Sequence, residues 1–395
     1  MNGRLKRLGK PIAGAGFPHE YQGASNGDLP FYKVSDFNLP GNERDLRTST
    51  NWVSRDVAEK LGATVVPAGT VLMPKIGAAL LGNERRLCAE PAVFDNNVMG
   101  IVPKDQTDSR YLYYLLCTLD MAAISNPGPV PSVGEGVIGS LVCPIPTLST
   151  QQAVAARLEA ETAPIDQLID KNLQMTTLLE ARLGLVAYAL TVDNVGQKVA
   201  LRHLVRQVKT GTTPSADKME ALTDGEVPWY SPGDVEESLR LGDAARWLRA
   251  EAVQDGWVPL FPADSTLVVG IGSAGRVAHL DRDATGNQQM TCIVSGPRLL
   301  PRFLSWQLFA RSDELRATAP STTMPILTND FLRALSIVVP QTDRQAQAVK
   351  RLDAEAARTR LVTTRIRNMV RLLLERRVAL ITAAVMGRVG VLPGV

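Results

Sequence analysis

Two patterns of hydrophobic and polar positions alternate along the chain, and each occurs twice. Short apolar runs such as "TVLMPKI" and "STLVVGI", broken by Gly, Pro and Asp, fill roughly 1–145 and 197–338 and predict many short strands. A few amphipathic stretches, such as "SRYLYYLLCTLDMAAI" and "RFLSWQLFARSDELRATA", predict helices among them. From Gln151 and again from Gln345, apolar residues recur at spacings of three, four and seven. We therefore expect an α+β chain with two strand-rich parts, each followed by a long helix.

Each long helix is expected to bury one narrow apolar stripe. A segment of about 40 residues spans about 60 Å at 1.5 Å per residue, and such a stripe is not stable in water alone. The nearest partner is the other helix, so we predict an antiparallel coiled-coil pair. The residues expected in this seam are Val154, Leu158, Ile165, Leu168, Met175 and Leu179 in the first helix and Leu352, Val362, Ile366, Met369, Leu373 and Leu380 in the second.

The charges and the helix ends agree with such a pair. Between Ser149 and Asn194 three basic residues stand against six acidic ones, whereas Val339 to Gly390 carries eleven basic against four acidic. An acidic helix beside a basic one is favourable at flanking positions. Pro164 is expected to kink the first helix or to mark a late start. The expected terminal residues are Ser149 or Thr150 and Thr342 or Asp343 as N-caps, and Gly387 as the final stop.

The chain repeats itself at a lag of about 195 residues. "LPFYKVSDF" matches "VPWYSPGDV", "PAGTVLMPKIGAA" matches "PADSTLVVGIGSA", and "DNNVMGIVP" matches "NQQMTCIVS". Two further blocks, at the start of each half and at each junction with a long helix, occur in the same order. This order indicates an internal duplication. We expect four segments: 1–148 and 195–338 as globular domains, and 149–194 and 339–395 as helices.

The stretch "VVGIGSAGRVAHL" contains G-x-G-x-x-G at Gly270, Gly272 and Gly275, a pattern that occurs in dinucleotide-binding loops. A pyrophosphate site also needs a helix N-terminus directly after the glycines. Here "RVAHL" alternates like a strand, and the matching repeat has Lys75 in place of the first glycine. We therefore expect a turn between strands and no cofactor.

The composition and the motifs exclude several classes of protein and do not by themselves assign a function. A net charge of +3 names no partner. No run of 18 apolar residues occurs, and the basic N-terminal stretch lacks an apolar signal core, so we expect a soluble, cytoplasmic protein without membrane contact. The Cys and His residues lack metal-ligand spacing, so no metal site is expected. We find no Asn- or Asp-Pro-Pro-aromatic motif of a self-contained methyltransferase and no compelling carboxylate cluster of a nuclease.

The ordered set of blocks resembles the specificity subunit of type I restriction–modification systems over nearly the whole chain. The resemblance is carried by the order of the parts, by the junction "PIPTLSTQQAVAARLEAETAPIDQLI" and by the closing "LLLERRVALITAAVMGRV". "TGTTPS" and "VPWYSPGDV" are similar to blocks of target recognition domains. The first part departs from this pattern with "AGAGFP", and Pro164 departs from the helix pattern.

The resemblance implies a non-catalytic reader of double-stranded DNA. Two target recognition domains would read the unlike halves of a bipartite, asymmetric site, and the antiparallel helices would form the spacer between them. Methyltransferase subunits, of which we expect two, and restriction or translocase subunits would assemble on this chain. The alternative is a coiled-coil scaffold without enzymatic activity whose globular ends bind protein and not DNA.

Base reading and phosphate contact require Lys, Arg, amide and hydroxyl side chains on loops or strand ends. The candidates for DNA contact are Lys75, Arg85 and Arg86 in the first globular domain, and Lys209, Thr212, Thr213, Ser273, Arg276, Gln288, Gln289, Thr322 and Thr323 in the second. Each of them is also a residue type that commonly lies in turns or on a solvated surface.

Overall fold

The structure, a computed structural model, describes residues 2–126, 128–319 and 325–387. It divides into two compact units. The first holds the chain up to Lys171 and from Met369 onward, and the second holds Asn172–Asn368. The first unit contains a strand-rich part, here called the first globular part (residues 2–145), and the second unit contains the second globular part (residues 197–340). Two 44-residue helices contribute residues to both units.

The first globular part has short strands throughout, as its broken apolar runs predict. The strands are β1 Asn2–Arg4, β2 Gly9–Ala13, β3 Leu29–Tyr32, β4 Asp45–Leu46, β5 Trp52–Val53, β6 Val71–Pro74, β7 Arg86–Cys88, β8 Val93–Phe94, β9 Val98–Pro103 and β10 Val142–Pro144. The α-helices are α1 Arg55–Lys60, α2 Gly77–Leu81, α3 Ser109–Cys117, α4 Met121–Ile124 and α5 Glu135–Ser140. Short 3-10 helices cover Leu5–Arg7, His19–Tyr21 and Val34–Asn38. The long helix α6, Leu148–Thr191, follows.

The second globular part repeats this order. Its strands are β11 Gln197–Ala200, β12 Val205–Thr210, β13 Thr223–Tyr230, β14 Arg246–Leu248, β15 Ser265–Val269, β16 Val277–Leu280, β17 Thr285–Gly286, β18 Met290–Ser295 and β19 Ser336–Val339. Its α-helices are α7 Ala216–Leu222, α8 Glu251–Gln254, α9 Pro301–Ala310, α10 Ser312–Thr318 and α11 Asn329–Ala334, with 3-10 helices at Leu201–His203 and Pro232–Asp234. The second long helix, α12, covers Thr342–Val385.

The strand pairing confirms the duplication. In the first part the sheets have the orders β2-β9-β6-β7-β4, β5-β3-β8 and β1-β10. In the second part the orders are β12-β18-β15-β16, β14-β13-β17 and β11-β19. Each pairing of the second part has its counterpart in the first, including the parallel contact of β3 with β8 and of β13 with β17. The repeated blocks of sequence therefore build the same sheets twice.

Each unit joins its globular part to both long helices through one hydrophobic core. In the first unit, Leu158 near the start of α6 and Ile381 near the end of α12 belong to the cluster that contains Leu112 of α3. In the second unit, Leu183 near the end of α6 and Leu352 near the start of α12 belong to the cluster that contains Trp306 of α9. The helices therefore run antiparallel, as predicted.

Ion pairs join the two helices within each unit. Arg377 Nε lies 2.7 Å from Asp166 Oδ1 in the first unit, and Arg182 lies 2.8 Å from Glu355 in the second. The pairing of Asp166 with Arg377 places an acidic residue of α6 against a basic residue of α12, as the charge counts lead one to expect. The pairing of Arg182 with Glu355 has the opposite sense, so the two helices are not simply acidic and basic along their whole length.

The predicted seam is wrong at three positions. Val154, Leu158, Ile165, Leu352 and Ile366 are buried, and Leu179, Val362, Leu373 and Leu380 are half-buried. Leu168, Met175 and Met369, by contrast, are 49%, 49% and 52% exposed. The more buried positions beside them are Ile169, Thr176 and Val370, one residue further along each helix.

Polar residues explain these one-residue errors. Thr162 of α6 and Thr359 and Thr363 of α12 are almost fully buried. A search for apolar residues alone skips such positions. It then places the stripe on the nearest apolar neighbour, although a buried threonine keeps the same three- and four-residue spacing.

The helix ends also differ in part from expectation. Helix α6 already begins at Leu148, and Thr147 Oγ1 accepts a hydrogen bond from the N–H of Thr150, so Thr147 is the cap. Pro164 lies inside the continuous helix, so a late start is ruled out. Gly387 has a φ of 68° just after α12, a conformation that glycine adopts without strain, and it ends the helix as predicted.

Candidate nucleic-acid interface

One end of the four-stranded sheet of the second globular part brings together three chain segments. The N–H of Gly211, just past β12, donates to the carbonyl of Met290 at 2.9 Å. The N–H of Gly270, just past β15, donates to the carbonyl of Gln289 at 2.7 Å. The segments around Thr212, Ser273 and Gln288 therefore meet at one sheet end, here called the second polar end.

The side chains at the second polar end present hydroxyl and amide groups. Thr212, Thr213, Ser273 and Gln288 are exposed, and Thr213 Oγ1 donates to Gln288 Oε1. Gln289 is partly buried, and its Oε1 accepts from Asn287 Nδ2 at 3.2 Å. Hydroxyl and amide groups both donate and accept hydrogen bonds, which is what the edges of bases require.

A close approach of two backbone segments fixes this sheet end, and only glycine permits it. A Cβ on Gly211 would lie 2.1 Å from the carbonyl oxygen of Gly286 and 2.3 Å from that of Asn287. In the first globular part, a Cβ on Gly14 would lie 2.0 Å from the carbonyl oxygen of Asp95. The blocks "AGAGFP" and "TGTTPS" therefore share a backbone requirement although their side chains differ.

The first globular part has a corresponding end, here called the first polar end. The N–H of Lys75, just past β6, donates to the carbonyl of Asn97 at 2.8 Å, as Gly270 does to Gln289. Lys75 Nζ lies 3.2 Å from Glu135, and its side chain is 20% exposed. Asn96 and Asn97 are exposed here, at the places of Gln288 and Gln289. The sequence candidates missed these two asparagines, although the match of "DNNVMGIVP" with "NQQMTCIVS" signals them.

Both arginine candidates of the first globular part, Arg85 and Arg86, donate hydrogen bonds to backbone carbonyls within that part. Arg85 is 2% exposed, and its guanidinium donates to the carbonyls of Leu116 and Leu119 at 3.2 and 3.1 Å. Burial lowers the pKa of Arg85. Arg86 donates to the carbonyl of Phe37 at 3.0 Å, and 13% of its side chain is exposed. Arg85 is therefore too deeply buried to contact a DNA duplex, and only a small part of the Arg86 side chain is exposed to one.

The remaining candidates for DNA contact in the second globular part differ in exposure. Arg276 is partly buried and donates to the carbonyls of Pro232 and Val235. Lys209 is exposed on β12, close to the second polar end. Thr322 and Thr323 lie outside the described residues.

The G-x-G-x-x-G stretch forms a strand-to-strand turn. Strands β15 and β16 pair antiparallel, with Val268 opposite Val277, and Gly270, Gly272 and Gly275 lie in the connection. Gly272 and Gly275 have φ values of 83° and 88°. The stretch is thus the expected turn, and no helix N-terminus follows the glycines.

In the described part of the chain, no helix is long and apolar enough to cross a membrane. No group of three or more His, Cys, Asp or Glu side chains among those residues is arranged to hold a metal ion.

A family model decides the relationship of this chain to known proteins. The model of the type I restriction modification DNA specificity domain matches residues 3–174 and, a second time, residues 198–371. The chain belongs to this family. The two matches coincide with the duplication, so each half is one copy of the domain.

Individual relatives agree with the family. The Escherichia coli type I restriction enzyme EcoR124I/EcoR124II specificity subunit is 28% identical over 159 residues, which are 39% of this chain and 39% of the relative. The Escherichia coli EcoprrI specificity subunit is 26% identical over 167 residues, 39% of this chain and 41% of the relative. The matched stretches thus cover about two-fifths of these curated relatives.

A solved structure shares the fold. It is described as showing complex assembly and conformational transition of the type I R-M system. Its chain superposes with a TM-score of 0.63 at 13% sequence identity, covering 98% of this chain and 98% of that chain.

Proposed function

We propose that this chain is the DNA sequence-specificity subunit of a type I restriction–modification complex. It reads a bipartite, asymmetric site, one half with each globular part. One observation carries the proposal. Each globular part places exposed polar side chains at the equivalent end of its own sheet. These side chains differ between the parts: Asn96 and Asn97 in the first, Thr213 and Gln288 in the second.

The chemistry of these side chains supports base reading. Amide side chains pair with adenine through one donor and one acceptor, and threonine contributes a hydroxyl and a methyl group. Because the two polar ends are built on equivalent backbones but carry different groups, they read different half-sites. Lys209 is exposed beside the second polar end and supplies charge for a nearby phosphate, whereas the charge of Lys75 at the first polar end is paired with Glu135.

The spacing between the half-sites is proposed to depend on α6 and α12. Each helix has 44 residues and spans about 66 Å at 1.5 Å per residue, about two turns of a duplex.

The long helices also offer a surface for partner subunits. Large apolar side chains stay exposed on both helices, and surface patches of this kind mark protein interfaces. The most exposed are Leu173, Leu178 and Leu185 of α6 and Leu361, Leu372 and Val378 of α12. We propose that methyltransferase subunits, two per chain, bind these helices, and that restriction or translocase subunits join through them. The chain itself is proposed to be non-catalytic and free of cofactor.

The test is selection of bound sequences from a random duplex library, with the full chain alone and with methyltransferase subunits. A bipartite consensus with two unlike halves supports the proposal. Binding to the methyltransferase subunits without any enriched DNA sequence in the assembled complex would instead support the protein-binding scaffold.

A further inference from the structure

The first polar end carries an ion pair between two side chains that are both partly exposed. Lys75 Nζ lies 3.2 Å from Glu135 Oε1, and 20% and 39% of the two side chains are exposed. A hydrogen bond from its own backbone N–H, together with the Lys75 ammonium, lowers the pKa of Glu135. The carboxylate therefore stays charged at neutral pH. The ammonium keeps further N–H donors after it donates to Glu135, so the pair presents a donor and an acceptor side by side.

The backbone holds this pair in place. The N–H of Lys75 donates to the carbonyl of Asn97 at 2.8 Å, and the carbonyl of Lys75 accepts from the N–H of Val133 at 3.0 Å. Glu135 is the first residue of α5, directly after this segment. The end of β6 and the start of α5 are thus tied together. A pair held in this way keeps its spacing, as the reading of a base pair requires.

The two groups match the edge of one base pair. In the major groove, guanine presents the acceptors N7 and O6, and cytosine presents the donor N4–H₂. O6 and N4 are joined by a hydrogen bond of the base pair and lie about 3 Å apart. The distance of 3.2 Å between Lys75 Nζ and Glu135 Oε1 is similar. The ammonium is thus able to donate to guanine while the carboxylate accepts from cytosine.

The other base pairs satisfy the two groups less well. A reversed pair, with cytosine before the ammonium and guanine before the carboxylate, places donor against donor and acceptor against acceptor. Adenine before the ammonium and thymine before the carboxylate do the same. Thymine before the ammonium and adenine before the carboxylate keep one acceptor and one donor in place. This arrangement, however, places the thymine methyl group where guanine has N7, so it ranks second.

The equivalent positions of the second globular part carry no charge. Gly270 stands in place of Lys75, and Asn329 is the first residue of α11, as Glu135 is of α5. Asn329 Oδ1 accepts from Thr210 Oγ1 at 3.0 Å. A charged pair at this place is therefore a property of the first globular part.

We propose that Lys75 and Glu135 together read one G·C base pair in the half-site of the first globular part. This inference rests on the proposed function and gives it the identity of one base pair. Lys75 contacts the guanine, and Glu135 contacts the cytosine of the same pair. Lys75 is accordingly a base contact and not a phosphate contact.

The experiment is selection from a random duplex library with the full chain and its methyltransferase subunits, followed by affinities for duplexes that differ at one base pair. The variants Glu135→Gln and Lys75→Met keep the size of each side chain and remove its charge. In the half-site that Asn96→Ala alters, we expect one position that prefers G·C. Each variant should lower the preference for G·C over the reversed pair there by at least about tenfold, with every other position unchanged.

The salt dependence of binding separates base reading from phosphate contact. Loss of a phosphate contact weakens binding to every sequence and lowers the slope of log affinity against log salt by about one. Lys75→Met should keep the wild-type slope. A uniform loss of affinity with a lower slope would make Lys75 a phosphate contact and overturn the proposal.

A matched control and a stability measurement complete the test. Glu161→Gln removes the carboxylate of an ion pair with Arg157 on α6 and should leave every base preference unchanged. Thermal unfolding checks that the variants are folded, which we expect because a partly exposed ion pair contributes little to stability. A wild-type complex that enriches no sequence would overturn the proposed function and this inference with it. A bipartite consensus in which neither Glu135→Gln nor Lys75→Met changes a G·C position would overturn this inference alone.

Discussion

Gln151 and Gln345 make the same three hydrogen bonds at the start of the two long helices. The Oε1 of Gln151 accepts from the N–H of Asp108 at 3.0 Å, and its Nε2 donates to the carbonyls of Gln106 and Pro146. The Oε1 of Gln345 accepts from the N–H of Leu300 at 2.8 Å, and its Nε2 donates to two corresponding carbonyls. Each glutamine thus ties the first turn of its helix to the segment that begins a helix of the globular part.

Replacing either glutamine should destabilise the unit that contains it. Gln151 is 1% exposed and Gln345 is fully buried, so Gln151→Ala or Gln345→Ala leaves backbone groups without partners in the interior. We expect a loss of about 2–3 kcal/mol in the free energy of unfolding for each. Denaturant titration measures it. Gln152→Ala, at the exposed neighbouring position, should change stability by less than about 0.5 kcal/mol. Equal effects at 151 and 152 would contradict the structural role.

The difference in burial between two predicted seam residues gives a second prediction. Leu158 is fully buried and Leu168 is 49% exposed, although both fit the same apolar pattern. Leu158→Ala should cost about 2–5 kcal/mol through a cavity, and Leu168→Ala should cost less than about 1 kcal/mol. Thermal or denaturant unfolding of both variants in parallel checks this difference. A large loss of stability with Leu168→Ala alone would instead indicate that Leu168 lies in the packed seam, as expected from the sequence.

Base reading is tested by removing an amide side chain at equivalent positions of the two polar ends. Gln288→Ala should weaken discrimination at one position of one half-site by about 1–3 kcal/mol, and Asn96→Ala should do the same in the other half-site. Mapping of methylated sites with the assembled complex shows which half changes. Gln207→Ala, on the exposed face of β12, serves as the control and should leave both halves unchanged. A change in both halves from either single variant would contradict separate readers.

Independence of the two parts predicts the result of a transplant. Replacing residues 195–338 by the corresponding part of another family member should change one half-site and preserve the other. The strand pair β11–β19 closes the base of this part, with Lys198 opposite Val338, so the exchanged segment brings all of β11 and all of β19 except its last residue, Val339. Methylome sequencing of cells that carry the chimera measures both halves. Loss of the untouched half-site, with the chimera folded and assembled, would argue against independence.

Sequence patterns predicted the repeated domains and the helix pair, but they did not predict which individual side chains are buried. The duplication, the turn at Gly270 and the antiparallel helices follow from periodicity and repeated order. Burial of Arg85 does not, because nothing local distinguishes an arginine that donates to Leu116 and Leu119 from one that faces solvent. Asn96 and Asn97 were within reach of the repeat alignment, since their partners Gln288 and Gln289 were already candidates.

The spacer gives the last prediction. Seven residues form close to two helical turns, so inserting seven near Thr176 of α6 and seven near Ile366 of α12 preserves the packed seam. The insertion lengthens the pair by about 10 Å, which is about three base pairs at 3.4 Å each. The gap in the recognised site should then grow by about three base pairs while both half-sites keep their bases. A matched variant with seven residues in α6 alone leaves the helices unequal and should impair folding or assembly. Mapping the methylated sites of the double insertion decides the matter, because a gap of unchanged length would mean that something other than these helices sets it.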